Sequence, residues 1–298
     1  MEITPQRVKN LREKTGAGMM DCKNALTEAA GDEEKAIEIL RKKGLSRVEK
    51  RSRREAREGL VEAVIQAGGK LGVLVEVDCE TDFVAKTDEF RNLVGLIVRH
   101  LTKTTSVPAA PDELLEQTSV EHSGKTVREL FSDSASKLGE NLILRRFARY
   151  DVKPPQEGWI EAYVHTGAKL GVMLELGCND AGTVQAGEFR TLARDIALHI
   201  AAANPLTIAR EQIPTATVEK EQEIYRAQIE AEGKKKPPEI VEKIISGKME
   251  RFYSEICLLE QPFVKIPEKS LGKLISETAT KLGDDLILRR FCRFKIGE

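Results

Sequence analysis

Little in this chain of 298 residues points to covalent chemistry. Its five cysteines (Cys22, Cys79, Cys178, Cys257, Cys292) are scattered singly without a C-x-x-C pair, the usage of reduced, buried thiols and not of a disulfide framework. Histidine occurs four times, and neither residue type has metal-ligand spacing. An excess of one charge is lacking too: 47 Lys and Arg against 48 Asp and Glu leave a formal net charge of −1, so bulk adhesion to nucleic acid is not the default expectation. No apolar run approaches the roughly 20 residues of a membrane helix, and no basic start followed by an apolar core marks a signal peptide. The composition reads as a soluble, cytoplasmic protein of two or three domains, with 41% hydrophobic residues to fill its cores.

What the chain does have is a near-copy of itself. Gly59 to Leu101 recurs without a gap as Gly158 to Ile200, with 16 of 43 positions identical at a constant offset of 99. Lys137 to Tyr150 is answered by Lys281 to Phe294, with 10 of 14 positions identical at an offset of 144. The change of offset puts about 45 extra residues in the second copy, between roughly Asn204 and Pro267. Two copies with a period near 100 indicate duplicated subdomains, not a solenoid. Cys79 matches Cys178 at the end of an apolar run, and His100 matches His199 on an expected helix, so both pairs read as packing. Thr81, Asp82, Phe83 and Val84, by contrast, stand opposite Asp180, Ala181, Gly182 and Thr183. A duplicated fold does not need residues that only one copy keeps, so the segment carrying Asp82 and Phe83 is the leading functional candidate.

Local patterns give an α+β chain. From Ile3 to Gly44 three short helices are expected: one opened by Thr4-Pro5 with Val8 and Leu11 inside, one near Met19 to Ala30 stopped at Gly31, and one capped by Asp32 and ended at Gly44. So small a bundle suits presenting a face better than enclosing a site. Between Arg41 and Glu58, nine Lys or Arg stand against three Glu. An RNA or phosphate contact and a solvated linker both fit, but no aromatic residue is there to stack on bases. Each repeat then reads β-β-α-α-β with a small antiparallel sheet. In the first, Leu60 to Gln66 and Leu71 to Cys79 form a hairpin about Gly68-Gly69, a pair that lacks phosphate-loop spacing. Helices near Asp88 to Thr102 and Thr126 to Leu138 follow, then a strand from Leu142 to Val152.

The insertion reads as an antiparallel helical hairpin, Val218 to Glu232 and Glu239 to Leu259, turning through Lys234, Lys235, Lys236, Pro237 and Pro238. Val241, Ile244, Ile245, Met249, Phe252, Tyr253 and Ile256 on its second helix can face Ile224, Tyr225 and Ile229 on its first. That stripe either closes the hairpin or also meets a partner or a second copy. The expected division is 1–45 for the bundle, 46–58 for a basic linker, 59–153 for the first subdomain, 154–205 with 261–298 for the second and its C-terminal module, and 206–260 for the arm.

Three motifs carry a family likeness: Glu13 to Lys23 (EKTGAGMMDCK), Glu80 to Ala85 (ETDFVA) and Cys257 to Phe263 (CLLEQPF). In this order, and over nearly the whole chain, the sequence resembles the translation elongation factor Ts family in its longer bacterial form. The resemblance implies a UBA-like N-terminal bundle and a guanine nucleotide exchange factor that releases GDP from elongation factor Tu, binding that partner both with GDP and without nucleotide. By the same likeness Thr81, Asp82, Phe83 and Val84 fall on the family's segment that disturbs the partner's Mg²⁺ site. Lys9, Arg12, Met19 and Met20 fall on a bundle that touches the partner's nucleotide-binding domain. No catalytic residue, metal or cofactor is implied, because exchange is a coupling between two binding equilibria without covalent chemistry. No nucleic acid or membrane partner is implied either, and there is room for a homodimer within a 2:2 complex. The basic, proline-rich turn of the arm departs from the family pattern. Two competing readings are an RNA- or ribosome-associated translation protein using the basic residues, and an enzyme using Cys79.

Overall fold

Three helices open the chain in the computed structural model, which describes residues 3–15, 17–51, 54–231 and 237–298. They are α1 (Pro5–Thr15), α2 (Met19–Glu28) and α3 (Glu33–Arg51), closed over Val8, Leu11, Cys22, Ala25, Leu26 and Ala36. Asp32 opens α3 by accepting the Lys35 N–H at 3.1 Å. The third helix does not end at Gly44. It continues to Arg51, into the stretch expected to be linker, since one helical glycine costs only about 1 kcal/mol. Tertiary docking offsets that cost: α3 lies along α7 (Val127–Leu138), where Arg41 pairs with Glu129.

In the first repeat β1 (Glu58–Ile65), β2 (Leu71–Cys79) and β3 (Ile143–Asp151) pair antiparallel in that order. Between β2 and β3 the chain forms α4 (Asp82–Ala85), α5 (Asp88–Lys103), α6 (Pro111–Glu116) and then α7. Strand alternation sets the layers. Val73, Val75, Val77 and Cys79 meet Phe90, Val94, Ile97 and Leu101 of α5, while Leu74 points to the opposite face. The β1–β2 turn is made by Gly68 and Gly69 at φ 84° and 63°, as the glycine pair predicts.

The second repeat copies this plan with β4 (Glu157–Val164), β5 (Leu170–Cys178), α8 (Gly187–Ala203), α11 (Leu271–Leu282) and β8 (Ile287–Lys295), its sheet ordered β4-β5-β8. The small pair β6 (Pro262–Phe263) and β7 (Ile266–Ser270) precedes α11. The arm is α9 (Thr215–Ala231) against α10 (Pro238–Ile256), sealed by Ile229, Ile245 and Met249 with Val218, Tyr225, Val241, Ile244, Phe252 and Tyr253 around them. Most of the apolar stripe is therefore consumed inside the hairpin, although Ile224, expected to face inward, is 40% exposed. The expected turn lysines Lys234, Lys235 and Lys236 lie outside the described residues. At the foot of the arm Arg210 bonds both Glu250 and Glu260 and stacks 4.2 Å over the Tyr253 ring. No helix among the described residues is long and apolar enough to cross a membrane.

The two histidines bring the second half of the repeats into register earlier than the sequence offset suggested. His100 Nδ1 accepts the Val120 N–H, so Nε2 carries the proton and donates to Gln117 Oε1 at 2.8 Å. His199 makes the same contacts with Val264 and Gln261, each 144 residues further on. The repeat thus resumes at Leu258-Leu259-Glu260-Gln261, the counterpart of Leu114-Leu115-Glu116-Gln117, and the insertion ends before Leu258.

The sheets pack face to face through Val61, Leu74, Tyr150, Ile160, Met173 and Phe294. The contacts across this seam are reciprocal. Arg146 lies 4.7 Å over Phe294 and donates to the Lys295 carbonyl; Arg290 lies 4.1 Å over Tyr150 and donates to the Asp151 carbonyl. Each arginine is aimed by a buried glutamate of its own sheet, Glu76 for Arg146 and Glu175 for Arg290. At the hairpin turns Lys70 pairs with Glu157, and Lys169 with Glu58. One chain therefore builds an internal near-twofold pair.

Candidate functional site

The one-turn helix α4 is held from below by Glu140. Its Oε2 accepts the Glu80 and Thr81 N–H groups at 3.0 and 3.1 Å, and its Oε1 accepts the Thr81 hydroxyl at 2.6 Å. Thr81 is extended and its Oγ1 in turn accepts the Val84 N–H, an N-cap that starts the helical turn. The Cys79 thiol donates to the Thr81 carbonyl at 3.1 Å, and Thr87 bonds back to the Val84 carbonyl while capping α5. With both ends fixed, the turn directs Val84 and Ala85 into the first core. Phe83 is left on the outside, 79% exposed. Isolated exposed apolar residues are ordinary, but a nearly bare phenyl ring on a turn fixed at both ends is already ordered for a contact.

Asp82, beside the ring, bonds Lys86 at 2.7 Å, and that hydrogen bond holds its carboxyl below the usual carboxylate range. At neutral pH the site presents an ionised carboxylate next to an aromatic ring. Of the four expected residues, Asp82 and Phe83 face solvent, Thr81 shapes the turn, and Val84 packs beneath it. Glu140 was not among the expected site residues. Its signal was in the sequence: an acidic residue follows the helix-ending glycine in both repeats, Gly139-Glu140 and Gly283-Asp284. Both glycines are left-handed, turning the next residue back under the loop.

The second repeat keeps this anchor and omits what stands on it. Asp284 accepts the Asn179 and Asp180 N–H groups at 3.1 and 3.0 Å, and Cys178 donates to the Asp180 carbonyl. Where Phe83 projects, Gly182 has no side chain, and its N–H bonds Asp180 Oδ1.

The tether from the bundle runs past the same platform. Asn141 donates to the Arg54 carbonyl and, from its backbone, to Glu80, while Arg54 pairs with Glu80 at 3.5 Å. Lys9, Arg12, Met19 and Met20 all lie on the outside of the bundle, the methionines 45% and 62% exposed. Lys9 and Arg12 share a face of α1 at i, i+3, and the two methionines begin α2.

The competing chemistry finds no support in this geometry. Burial, reinforced by the Glu140 charge, pushes the Cys79 thiol up to about 12, so it is not a thiolate at neutral pH, and Cys178 is raised in the same way. Each described basic side chain from Arg41 to Glu58 already has an acidic partner: Arg41 with Glu129, Lys42 with Glu38, Lys43 with Glu28, Arg54 with Glu80 and Arg57 with Glu55. Among the described residues no group of His, Cys, Asp and Glu could hold a metal ion.

Comparison with known proteins shows the family. The family described as Elongation factor TS matches residues 80–298. The chain is 42% identical to elongation factor Ts of Trichlorobacter lovleyi over 298 residues, covering 100% of this chain and 94% of that protein. It is 43% identical over 296 residues to the factor of Clostridium kluyveri and 42% identical to that of Clostridium perfringens, each alignment covering 99% of this chain and 93% of the relative.

Proposed function

Since the chain belongs to the elongation factor Ts family, we propose that it is the guanine nucleotide exchange factor for elongation factor Tu, acting in the cytoplasm, and that the Thr81–Val84 turn drives GDP release. The observation that carries the mechanism is the bare Phe83 ring on a turn whose backbone is fixed by Glu140, in the one repeat that has it.

In a P-loop GTPase, GDP is held by a phosphate cradle and by Mg²⁺, which neutralises phosphate charge through few protein ligands. A ring inserted between elements near that site gains burial on binding, worth on the order of 2 kcal/mol or more. This gain is available only if the partner's elements separate. The Asp82 carboxylate can then accept hydrogen bonds from donors that had oriented the metal or the phosphates. Rigidity at the base of the turn matters because a mobile loop would spend the contact energy on its own ordering. The bundle face around Met19 and Met20, the second repeat and the arm supply further contact area elsewhere on the partner. Reciprocity follows: a factor that weakens GDP must itself be weakened by GDP to the same ratio.

The test is rapid mixing of fluorescent GDP bound to elongation factor Tu with the wild-type chain and with Phe83→Ala and Asp82→Ala. The maximal release rate should fall about 10- to 100-fold for Phe83→Ala and less for Asp82→Ala, as expected for a hot-spot side chain and its polar neighbour. Unchanged release in both variants would transfer the mechanism to the bundle or the second repeat. No acceleration by the wild-type chain would overturn the exchange function.

A further inference from the structure

Building on the exchange reading, we infer that Lys169, which belongs to the second repeat, is a positioning residue for the Thr81–Val84 turn of the first. The β4–β5 turn reaches across the seam. Ala168 takes φ 54°, a left-handed conformation unusual for a residue with a Cβ, and its carbonyl accepts the Val61 N–H at 2.7 Å. Its methyl packs against the first core. This places Lys169 beside the start of β1, where Nζ pairs with the Glu58 carboxylate.

Glu58 is the register partner of Cys79, whose thiol bonds the Thr81 carbonyl, and α4 itself packs on β1 and β2. The strand end on which the turn leans is thus fixed by a charge from the other repeat. Lys169 also adds positive potential at Asp82, after Lys86. Asp82 is consequently held by its own helix on one side and biased from the second repeat on the other.

A lysine–glutamate pair could serve folding alone, and the internal symmetry provides the matched control. Lys70 occupies the equivalent place in the first repeat and pairs with Glu157, the equivalent of Glu58, beside a turn that bears no aromatic ring. A structural role predicts equal consequences for the two lysines. A positioning role predicts a consequence for exchange at Lys169 only. Both side chains are more than 40% exposed, so neither substitution threatens the fold.

The experiment measures GDP release from elongation factor Tu by the full chain carrying Lys169→Met, Lys70→Met, Lys169→Arg or Phe83→Ala, with thermal midpoints recorded for all four. Lys169→Met should lower the maximal release rate about 3- to 10-fold, with the half-saturating factor concentration changed less than about 2-fold. Lys169→Arg should restore the rate, Lys70→Met should keep it, and the two methionine variants should share one small drop in midpoint. Equal slowing by both methionine variants, or a wild-type rate in Lys169→Met while Phe83→Ala loses it, overturns the role of Lys169 and leaves the loop mechanism standing. Full activity in Phe83→Ala overturns the loop mechanism and the positioning role with it.

Discussion

The first and second repeats hold the equivalent turn with equivalent groups and differ in what they put on it. A carboxylate after a left-handed glycine receives two backbone N–H groups in each, from Glu80 and Thr81 in one and from Asn179 and Asp180 in the other. A buried cysteine donates to the carbonyl of the turn in each. Only the first adds a threonine cap, an ionised aspartate and a protruding phenyl ring. The anchor, present in both repeats, therefore belongs to the fold, whereas the ring, present in one, is what we propose carries the exchange function. A second asymmetry lies on the seam. The first repeat buries Glu76 and Asp78 there, whereas the second has Glu175 and then Gly177, over which the Arg289 guanidinium folds so closely that an added Cβ would sit 2.5 Å from Cζ.

Four substitutions test how far the two repeats differ, beginning with the largest effect on stability. Gly69→Ala should destabilise by about 3 kcal/mol, since the residue combines left-handed φ with a ring in the way. A Cβ there would lie 2.0 Å from Trp159 Cε3. The equivalent turn already carries an alanine, Ala168, whose methyl packs against the first core. Denaturant unfolding followed by fluorescence of Trp159, the only tryptophan, reads the change directly. A loss no larger than a surface substitution would mean that the two turns are packed alike.

Removing the anchors comes next. Glu140→Ala should cost about 2 kcal/mol, as three donors lose a charged acceptor that water replaces in part, and it should also slow GDP release. Asp284→Ala should cost a similar amount of stability and leave release intact. Slowed release in both would erase the distinction between anchor and function.

The smallest effect is a pH dependence on the seam. Burial, the largest cause, raises the carboxyls of both Glu76 and Asp78 above their ordinary values, opposed by Arg146 and Arg145 respectively. Glu76 Oε1 and Asp78 Oδ1 are buried without hydrogen-bond partners. The folded chain therefore binds these protons more tightly than the unfolded chain. Their contribution to stability is fullest below the ordinary carboxyl values, is lost as pH rises from there through the raised values, and is constant above them. Asp78→Asn should gain in thermal midpoint relative to the wild type as pH is taken from about 4 to 7. A difference that stays constant with pH would show that Asp78 is fully compensated by Arg145.

The sequence alone was enough for the repeats, the hairpins, the helical arm and the α+β class, and it singled out Phe83, which the structure shows exposed. Each follows from local physics: strand alternation, helix capping, glycine at turns, and comparison of two copies under one folding constraint. It placed the end of α3 too early, because a glycine weakens a helix locally whereas docking against α7 is a tertiary gain. It read the apolar stripe of the arm without deciding where it went, because periodicity marks a face and not its occupant. Only the tertiary structure decided that Glu140 lies beneath the turn, that Arg146 and Arg290 clamp each other's sheets, and that Lys169 reaches from one repeat to the loop platform of the other. These contacts join residues 59 to 149 positions apart in the chain, and no local pattern encodes them. Those across the seam exist because each sheet has, besides the face covered by its own helices, a second apolar face that is buried against the other sheet, and the charged rims were brought together as a consequence.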